Sequence, residues 1–208
     1  MSDFEIDPEP LQKPSSYWQR LTQYAWVIAG LWIIEISDRL LFGNRLEQHG
    51  IHPRDFSHWD GFIFAPLLHG SWAHLVGNSI SLLILGAAIL IKGWRDLIMV
   101  SLVSALTAGL VVFIIGSAGT NHVGASSIIF GYFGFLVGMG IYQRNALSIL
   151  LAVLVVIFYG GAIFTIFPTA MARAASISWE GHLGGAIGGF LIARSRRLQK
   201  HSLPASTY

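Results

Sequence analysis

The segment Val123-Gly-Ala-Ser-Ser opens an apolar run and places Ser126 where a serine could act as a nucleophile. Gly124 permits a tight backbone just before the run, and Ser126 falls in its first helical turn, about three residues or ~5 Å into it. A serine there lies near free backbone N–H groups and the positive end of the helix dipole, which both stabilise an oxyanion. The same pattern fits a serine that caps or packs the helix, so nucleophilic chemistry needs a base nearby.

A histidine that could serve as this base lies in the segment Gly181-His-Leu-Gly-Gly-Ala-Ile-Gly-Gly. At about 100° per residue, His182, Gly185 and Gly189 share one helical face. Three glycines also share a face of the run that Ser126 opens: Gly131, Gly134 and Gly138. Small residues at this spacing let membrane helices approach closely. The approach would let His182 accept the serine proton, whereas a polar residue that only bridges two helices is the alternative.

A third polar group occupies the segment His69-Gly-Ser-Trp-Ala-His-Leu-Val-Gly-Asn. His74 and Asn78 are four residues apart, so they share a helical face, and both can donate hydrogen bonds to an oxyanion. His69 lies about 140° from His74 around that helix, which favours a structural role at the adjoining loop. Because these histidines do not share a face, and because the chain has neither a His-Glu-x-x-His motif nor a cysteine, no metal site is predicted.

No carboxylate is evident that could orient the histidine and complete a triad. Glu180 lies only two residues from it and points in another direction on the helix. Glu35 and Asp38 belong to a different helix, where packing or the membrane interface is their predicted role. His122, in a short loop, is predicted to be exposed. The residues therefore indicate a serine–histidine dyad.

The composition indicates that lipid is the solvent for much of the chain. Of the 208 residues, 53% are hydrophobic and 12% are charged, whereas a soluble domain usually carries roughly a quarter charged residues. A net charge of +2 gives no reason to expect a nucleic-acid partner. Cysteine is absent, which excludes disulfides and thiol nucleophiles. No cofactor is predicted.

The predicted fold is an all-α membrane bundle of six transmembrane helices, with residues 21–193 as its single domain. Uncharged runs of about 20 residues predict three spans, at 97–116, 123–142 and 146–167. Three more spans carry polar groups, and amphipathic surface helices are their alternative: 22–42, 62–91 and 174–193. The proline-punctuated segment 1–20 is predicted to be a disordered cytoplasmic tail, 43–61 a long polar loop and 194–208 a basic cytoplasmic tail.

The distribution of basic residues predicts the orientation of this bundle. With six crossings, nine basic residues share the side of the two termini: Lys13, Arg20, Lys92, Arg95, Arg144, Arg194, Arg196, Arg197 and Lys200. Four lie on the other side: Arg39, Arg45, Arg54 and Arg173. The excess predicts cytoplasmic termini. The polar groups of helices 2, 4 and 6 then lie toward the outer face, at one depth, which indicates a single site.

The order of these motifs on alternate helices resembles the rhomboid family of intramembrane serine proteases. The resembling residues run from about Gly50 to Ala193: His69, His74, Asn78, Gly124, Ser126, His182, Gly185 and Gly189. The resemblance implies a six-helix rhomboid-like bundle with Ser126 as nucleophile and His182 as general base. It also implies an oxyanion site made by His74, Asn78 and the serine N–H, with His69 in support. Implied substrates are transmembrane protein segments with a helix-breaking stretch near the outer face.

Three positions depart from the family pattern. Ser127 replaces the usual glycine after the nucleophile, and Phe130 replaces a tyrosine that stacks on the histidine. The loop before helix 2 reads Gly50-Ile-His-Pro-Arg54 and lacks a Trp-Arg pair found in many members. These changes concern the packing around the dyad and the anchoring of the loop, and none removes a catalytic group.

Two other functions fit the same helices. A catalytically silent relative would bind membrane helices without cutting them, although it would normally have lost the serine or the histidine. A small transporter would relay protons or an ion through its histidines, although it needs polar residues across the whole membrane. The layout favours a prokaryotic cytoplasmic membrane, with the lipid bilayer and transmembrane substrates as the only predicted partners.

Overall fold

The computed structural model describes residues 15–169 and 177–202, with side chains up to residue 198. Within these ranges the chain forms six helices of 14 to 24 residues. We number them in chain order: α1 (Tyr17–Ser37), α2 (Trp72–Leu90), α3 (Trp94–Ile115), α4 (Ser126–Gln143), α5 (Ala146–Tyr159) and α6 (Trp179–Ser202).

The first helix begins earlier than predicted, at a capping box. The Ser16 hydroxyl accepts a hydrogen bond from the Gln19 N–H at 3.2 Å, and the Gln19 side chain accepts from the Ser16 N–H at 2.8 Å. These bonds satisfy two N–H groups that a helix start would leave unpaired. The prediction of a disordered tail is therefore wrong for residues 17–20, while residues 1–14 lie outside the described ranges.

The C-terminal end of α1 buries two carboxylates, as their predicted packing role requires. Glu35 is 2% exposed and pairs with Arg39 at 2.6 Å. Asp38, also 2% exposed, opens a π-helical turn over Asp38–Phe42 and accepts a hydrogen bond from the Leu46 N–H at 3.0 Å. Each buried charge has a partner, which keeps the cost of burial low.

The predicted helix over residues 62–91 is interrupted near Pro66. Gly61–Phe64 forms one α-helical turn and Ala65–Leu67 one 3₁₀ turn, and α2 begins only at Trp72. Proline lacks the N–H that a continuing helix needs, so the chain leaves the helix there. A new cap follows, because the Ser71 hydroxyl accepts from the His74 N–H at 3.1 Å. The prediction that His69 and His74 share one helix is therefore wrong.

The last two predicted spans differ from the observed helices in where they begin or end. The α-helix α5 stops at Tyr159, and Gly160–Ile166 continue as a 3₁₀ helix, where 146–167 had been predicted as one helix. The predicted start of helix 6 at residue 174 lies outside the described residues. Helix α6 is observed from Trp179 and extends past residue 193 to Ser202, so part of the predicted basic tail is helical.

Helix α4 is the centre of the bundle, and glycines allow its contact with α6. A Cβ atom built on Gly189 would collide with the carbonyl oxygen of Gly131, and one on Gly134 would collide with that of Ala186. A Cβ on Gly138 would lie 2.7 Å from the Ala193 Cβ. The two helices thus touch backbone to backbone, as the glycine spacing predicts.

Among the residues that the structure describes, four segments are long and apolar enough to cross a membrane: Trp72–Leu90, Trp94–Ile115, Ser126–Gln143 and Ala146–Ile166. The fraction of residues buried inside the protein differs between these segments. It is 50% in the most apolar stretch of Ser126–Gln143 but only 6% in that of Ala146–Ile166. The exposed surface of α5 is made of large aliphatic and aromatic side chains, which is stable only against lipid. The protein is an integral membrane protein.

Candidate active site

Ser126 is the first residue of α4, and hydrogen bonds made by the preceding loop hold the start of this helix in place. Ile51 and His122 form an antiparallel bridge with N–H to O distances of 2.9 and 3.1 Å, and the Gly124 N–H donates to the Ala65 carbonyl at 2.8 Å. Gly124 adopts a φ of +118°, which other residues rarely reach. Among the described residues, no hydrogen bond engages the Ser126 N–H, as expected at a helix start.

The predicted oxyanion donors lie beside this turn. A Cβ atom on Gly124 would lie 2.6 Å from His74 Nε2 and 3.4 Å from Asn78 Nδ2, so both donors border the backbone two residues before Ser126. Asn78 is 6% exposed, and its buried Nδ2 has no hydrogen-bond partner within the described residues. An unpaired buried donor is costly, and this amide is free to donate to the oxygen of a bound ligand.

His182 faces the same end of α4. Its ring stacks on Phe130, with ring centroids 4.1 Å apart and planes inclined by 17°. Phe130 follows Ser126 by one helical turn, so the two share a face of α4. A Cβ on Gly185, one turn after His182, would collide with the Ser127 carbonyl oxygen. No hydrogen bond joins the Ser126 hydroxyl to His182 among the hydrogen bonds of the described residues.

A residue that the sequence did not single out also contacts His182. Thr165, in the 3₁₀ helix after α5, places its hydroxyl 2.9 Å from His182 Nδ1. The sequence carries no signal for this contact, because a threonine in an apolar run usually bonds only its own helix. The neighbouring Glu180 is buried, but no hydrogen bond or ion pair joins it to His182 among the described residues.

His69 is fully buried in the loop before α2 and contacts His74, one of the predicted oxyanion donors. Its ring packs edge-on against the His74 ring, with centroids 5.2 Å apart. Burial lowers the pKa of His69 to about 4, so this ring is neutral at pH 7. A neutral, packed ring agrees with the structural role that the sequence indicated.

The prediction that His122 is an exposed loop residue is wrong. Its ring is half-buried, with Nε2 lying 2.7 Å from the Thr120 hydroxyl and Nδ1 lying 2.7 Å from the Ser178 hydroxyl. Burial lowers the pKa of His122 below its usual value, and the nearby His52 lowers it further. Because Ser178 immediately precedes α6, His122 ties the loop that carries Ser126 to the helix that carries His182.

Two cavities adjoin the site. A small one of about 30 Å³ is lined partly by polar residues, among them His122, Ser126 and Ser178, and has room for about one water molecule. A larger one of about 320 Å³ lies along α4, between α6 and the 3₁₀ helix, and is lined only by apolar residues, among them Phe130. The described residues include no cluster of three or more potential ligands that could hold a metal ion.

Comparison with known proteins identifies the family of this fold. A family model described as the Rhomboid domain matches residues 57–197, which is more than half of the chain. The chain belongs to the rhomboid family. The matched range contains every residue of the candidate site, and the resemblance predicted from the motifs is confirmed.

Proteins of several bacteria are similar to this chain over most of its length. An uncharacterised protein of Mycobacterium bovis is 35% identical over 182 residues, covering 81% of this chain and 75% of the relative. One of Mycobacterium leprae is 34% identical over 182 residues, covering 81% of this chain and 71% of the relative. YdcA of Bacillus subtilis, named as a proposed rhomboid protease, is 26% identical over 136 residues, covering 65% of this chain and 66% of the relative.

Proposed function

We propose that this rhomboid protein is an intramembrane serine endopeptidase, with Ser126 as nucleophile and His182 as general base. The observation that carries the proposal is the stacking of His182 on Phe130, one turn from Ser126 on the same face of α4. A serine and an imidazole at touching helix ends are what nucleophilic hydrolysis requires. The missing hydrogen bond between them is not an obstacle, because catalytic hydrogen bonds are often long before a substrate binds.

The proposed topology has six crossings, with α1 and α6 adding to the four apolar spans. Both termini are cytoplasmic, since nine basic residues lie on that side against four on the other. The N-terminus of α4 is then at the outer face, where Ser126 can meet water. Substrates are transmembrane segments of other proteins that enter laterally between α2 and α5 and unwind near that face.

The proposed reaction begins when Ser126 Oγ attacks the exposed carbonyl of the substrate while His182 Nε2 takes the serine proton. The developing oxyanion accepts hydrogen bonds from Asn78 Nδ2, from His74 Nε2 and from the Ser126 N–H. The protonated His182 then donates its proton to the leaving amine. His182 then takes a proton from a water molecule, which attacks the acyl-enzyme and releases Ser126, and the small cavity beside Ser126 has room for this water.

Two rival functions are less well supported. A silent rhomboid relative that only binds helices would not need Ser126, His182 and an unpaired Asn78 amide at one helix end. A transporter would need polar side chains along a continuous path. The buried side of α3 toward the cytoplasm instead contains Leu97 and Val100, which favours a site confined to one face.

Reconstitution with a model substrate tests the proposal. The purified protein and a single-pass substrate with a helix-breaking outer segment are placed in the same vesicles, beside a matched Ser126→Ala preparation. We expect one cut near the outer face with the parent and none with the variant. Cleavage that survives in Ser126→Ala, or a parent that neither cuts nor reacts with a fluorophosphonate, would exclude this function.

Asn78→Ala is expected to lower kcat by about 10²- to 10³-fold with little change in KM, because its amide donates only to the oxyanion of the transition state. The matched control is Ser79→Ala on the same helix, since the Ser79 hydroxyl faces α1, where it accepts from Trp32 Nε1 at 3.0 Å. Cleavage rates in vesicles measure both variants. An equal loss for Asn78→Ala and Ser79→Ala would mean that the amide has no special role.

A further inference from the structure

The Thr165 hydroxyl lies between two polar groups. Its oxygen is 2.7 Å from the carbonyl oxygen of Ala162, three residues earlier in the 3₁₀ helix. It is also 2.9 Å from Nδ1 of His182. Both distances are those of good hydrogen bonds.

The Thr165 hydroxyl has a single hydrogen, and where that hydrogen lies determines the tautomer of His182. A threonine hydroxyl has one hydrogen, and a carbonyl oxygen can only accept. Two oxygens 2.7 Å apart therefore need that hydrogen between them, so Thr165 donates to the Ala162 carbonyl. Its lone pair is then left for His182, and Nδ1 must carry the ring hydrogen. This assignment follows from the distances and the donor inventory, since hydrogens themselves are not located.

We infer that Thr165 is a positioning residue that holds His182 in the Nδ1–H tautomer and keeps Nε2 free to accept the Ser126 proton. The inference rests on the proposed function. The stack on Phe130 fixes the plane of the ring, but it does not select which nitrogen carries the hydrogen. The hydrogen bond to Thr165 orients the ring within that plane, and it also selects the tautomer.

The same bond persists through a catalytic cycle. When His182 takes the serine proton on Nε2, its Nδ1–H still donates to Thr165, so no hydrogen bond has to be rebuilt during the reaction. In serine–histidine–aspartate triads a carboxylate performs this orientation. Here the role belongs to a neutral hydroxyl from another helix.

Thr165→Val keeps the shape of the side chain and removes its hydroxyl. We expect kcat to fall about tenfold with KM unchanged, the size of effect that loss of one neutral hydrogen bond produces. Thr165→Ser retains the hydroxyl and is expected to keep at least half of the parent kcat. Thr22→Val is the matched control, because the exposed Thr22 hydroxyl donates to the Trp18 carbonyl of its own helix and to no other group among the described residues. Equal kcat values for Thr165→Val and the parent, or equal losses for Thr165→Val and Thr165→Ser, would overturn the inference.

A readout without activity separates this inference from the proposed function. In protein labelled with ¹⁵N-histidine, at a pH where the ring is neutral, the His182 resonances, assigned by their loss in His182→Ala, are expected to show protonated Nδ1 and unprotonated Nε2. Thr165→Val is expected to move them toward the other tautomer, and Thr165→Ser to leave them in place. A parent with protonated Nε2, or unchanged resonances in Thr165→Val, refutes the role of Thr165 whether or not the protein cleaves a substrate. A parent that shows the expected tautomer but no cleavage counts against the proposed function alone.

Discussion

Replacing either Ser126 or His182 by alanine is expected to lower kcat for substrate cleavage by about 10⁴- to 10⁶-fold. The two side chains act as one unit, because the serine is a poor nucleophile without the imidazole and the imidazole has no reaction without the serine. The double variant is therefore expected to cost no more than the larger single loss. Initial rates in vesicles, with long incubations for the weak variants, measure all three.

The control for this comparison is His58→Gln, which changes a partly exposed loop histidine that pairs with Asp55 at 2.8 Å. Its rate is expected to stay within about twofold of the parent. Losses that simply multiply in the double variant would mean that Ser126 and His182 act independently. Such a result would be incompatible with a dyad even if each single variant were impaired.

Gly189→Ala is expected to push α4 and α6 apart. The added methyl group would collide with the Gly131 carbonyl oxygen, a backbone atom that cannot rotate away. Overpacking of this kind typically costs 1–3 kcal/mol, or more when backbone must move. A shift of about 1 Å between the two helices would also misalign Ser126 and His182, so cleavage is expected to fall by about 10²-fold.

Thermal unfolding in mild detergent and cleavage rates in vesicles are the measurements for this variant. Gly30→Ala in α1 is the matched control, since a Cβ at Gly30 meets nothing within 4 Å. It is expected to leave both the midpoint of unfolding and the rate near parent values. A Gly189→Ala protein as stable and active as Gly30→Ala would show that close contact between α4 and α6 is not needed.

The core of this arrangement could be predicted from local patterns. Glycines at helical spacing predicted the contact of α4 with α6, because small residues at one face have few other uses in a membrane helix. The start of α4 near Ser126 followed from Gly124 and the apolar run. The polar, proline-punctuated composition of the first 20 residues predicted a disordered tail, whereas the capping box at Ser16 and Gln19 starts α1 at Tyr17.

Other features depend on contacts between distant segments. The break before α2 could have been predicted, since Pro66 lies inside the run, although hydropathy alone favoured one long helix. By contrast, the contact of Thr165 with His182 joins residues 17 positions apart on different helices. The hydrogen bonds of His122 likewise link it to Ser178, 56 residues later. Contacts of this kind between distant residues leave no repeating pattern in the sequence, so they cannot be predicted from it.

The most direct measurement of the central claim maps the adduct of a fluorophosphonate on the protein in a lipid bilayer. Mass spectrometry of the digested parent is expected to show one modified residue, Ser126, and the modification is expected to be lost in His182→Ala. A folded parent modified at another serine, or a His182→Ala protein modified at Ser126 at the parent rate, would contradict the claim that His182 activates Ser126.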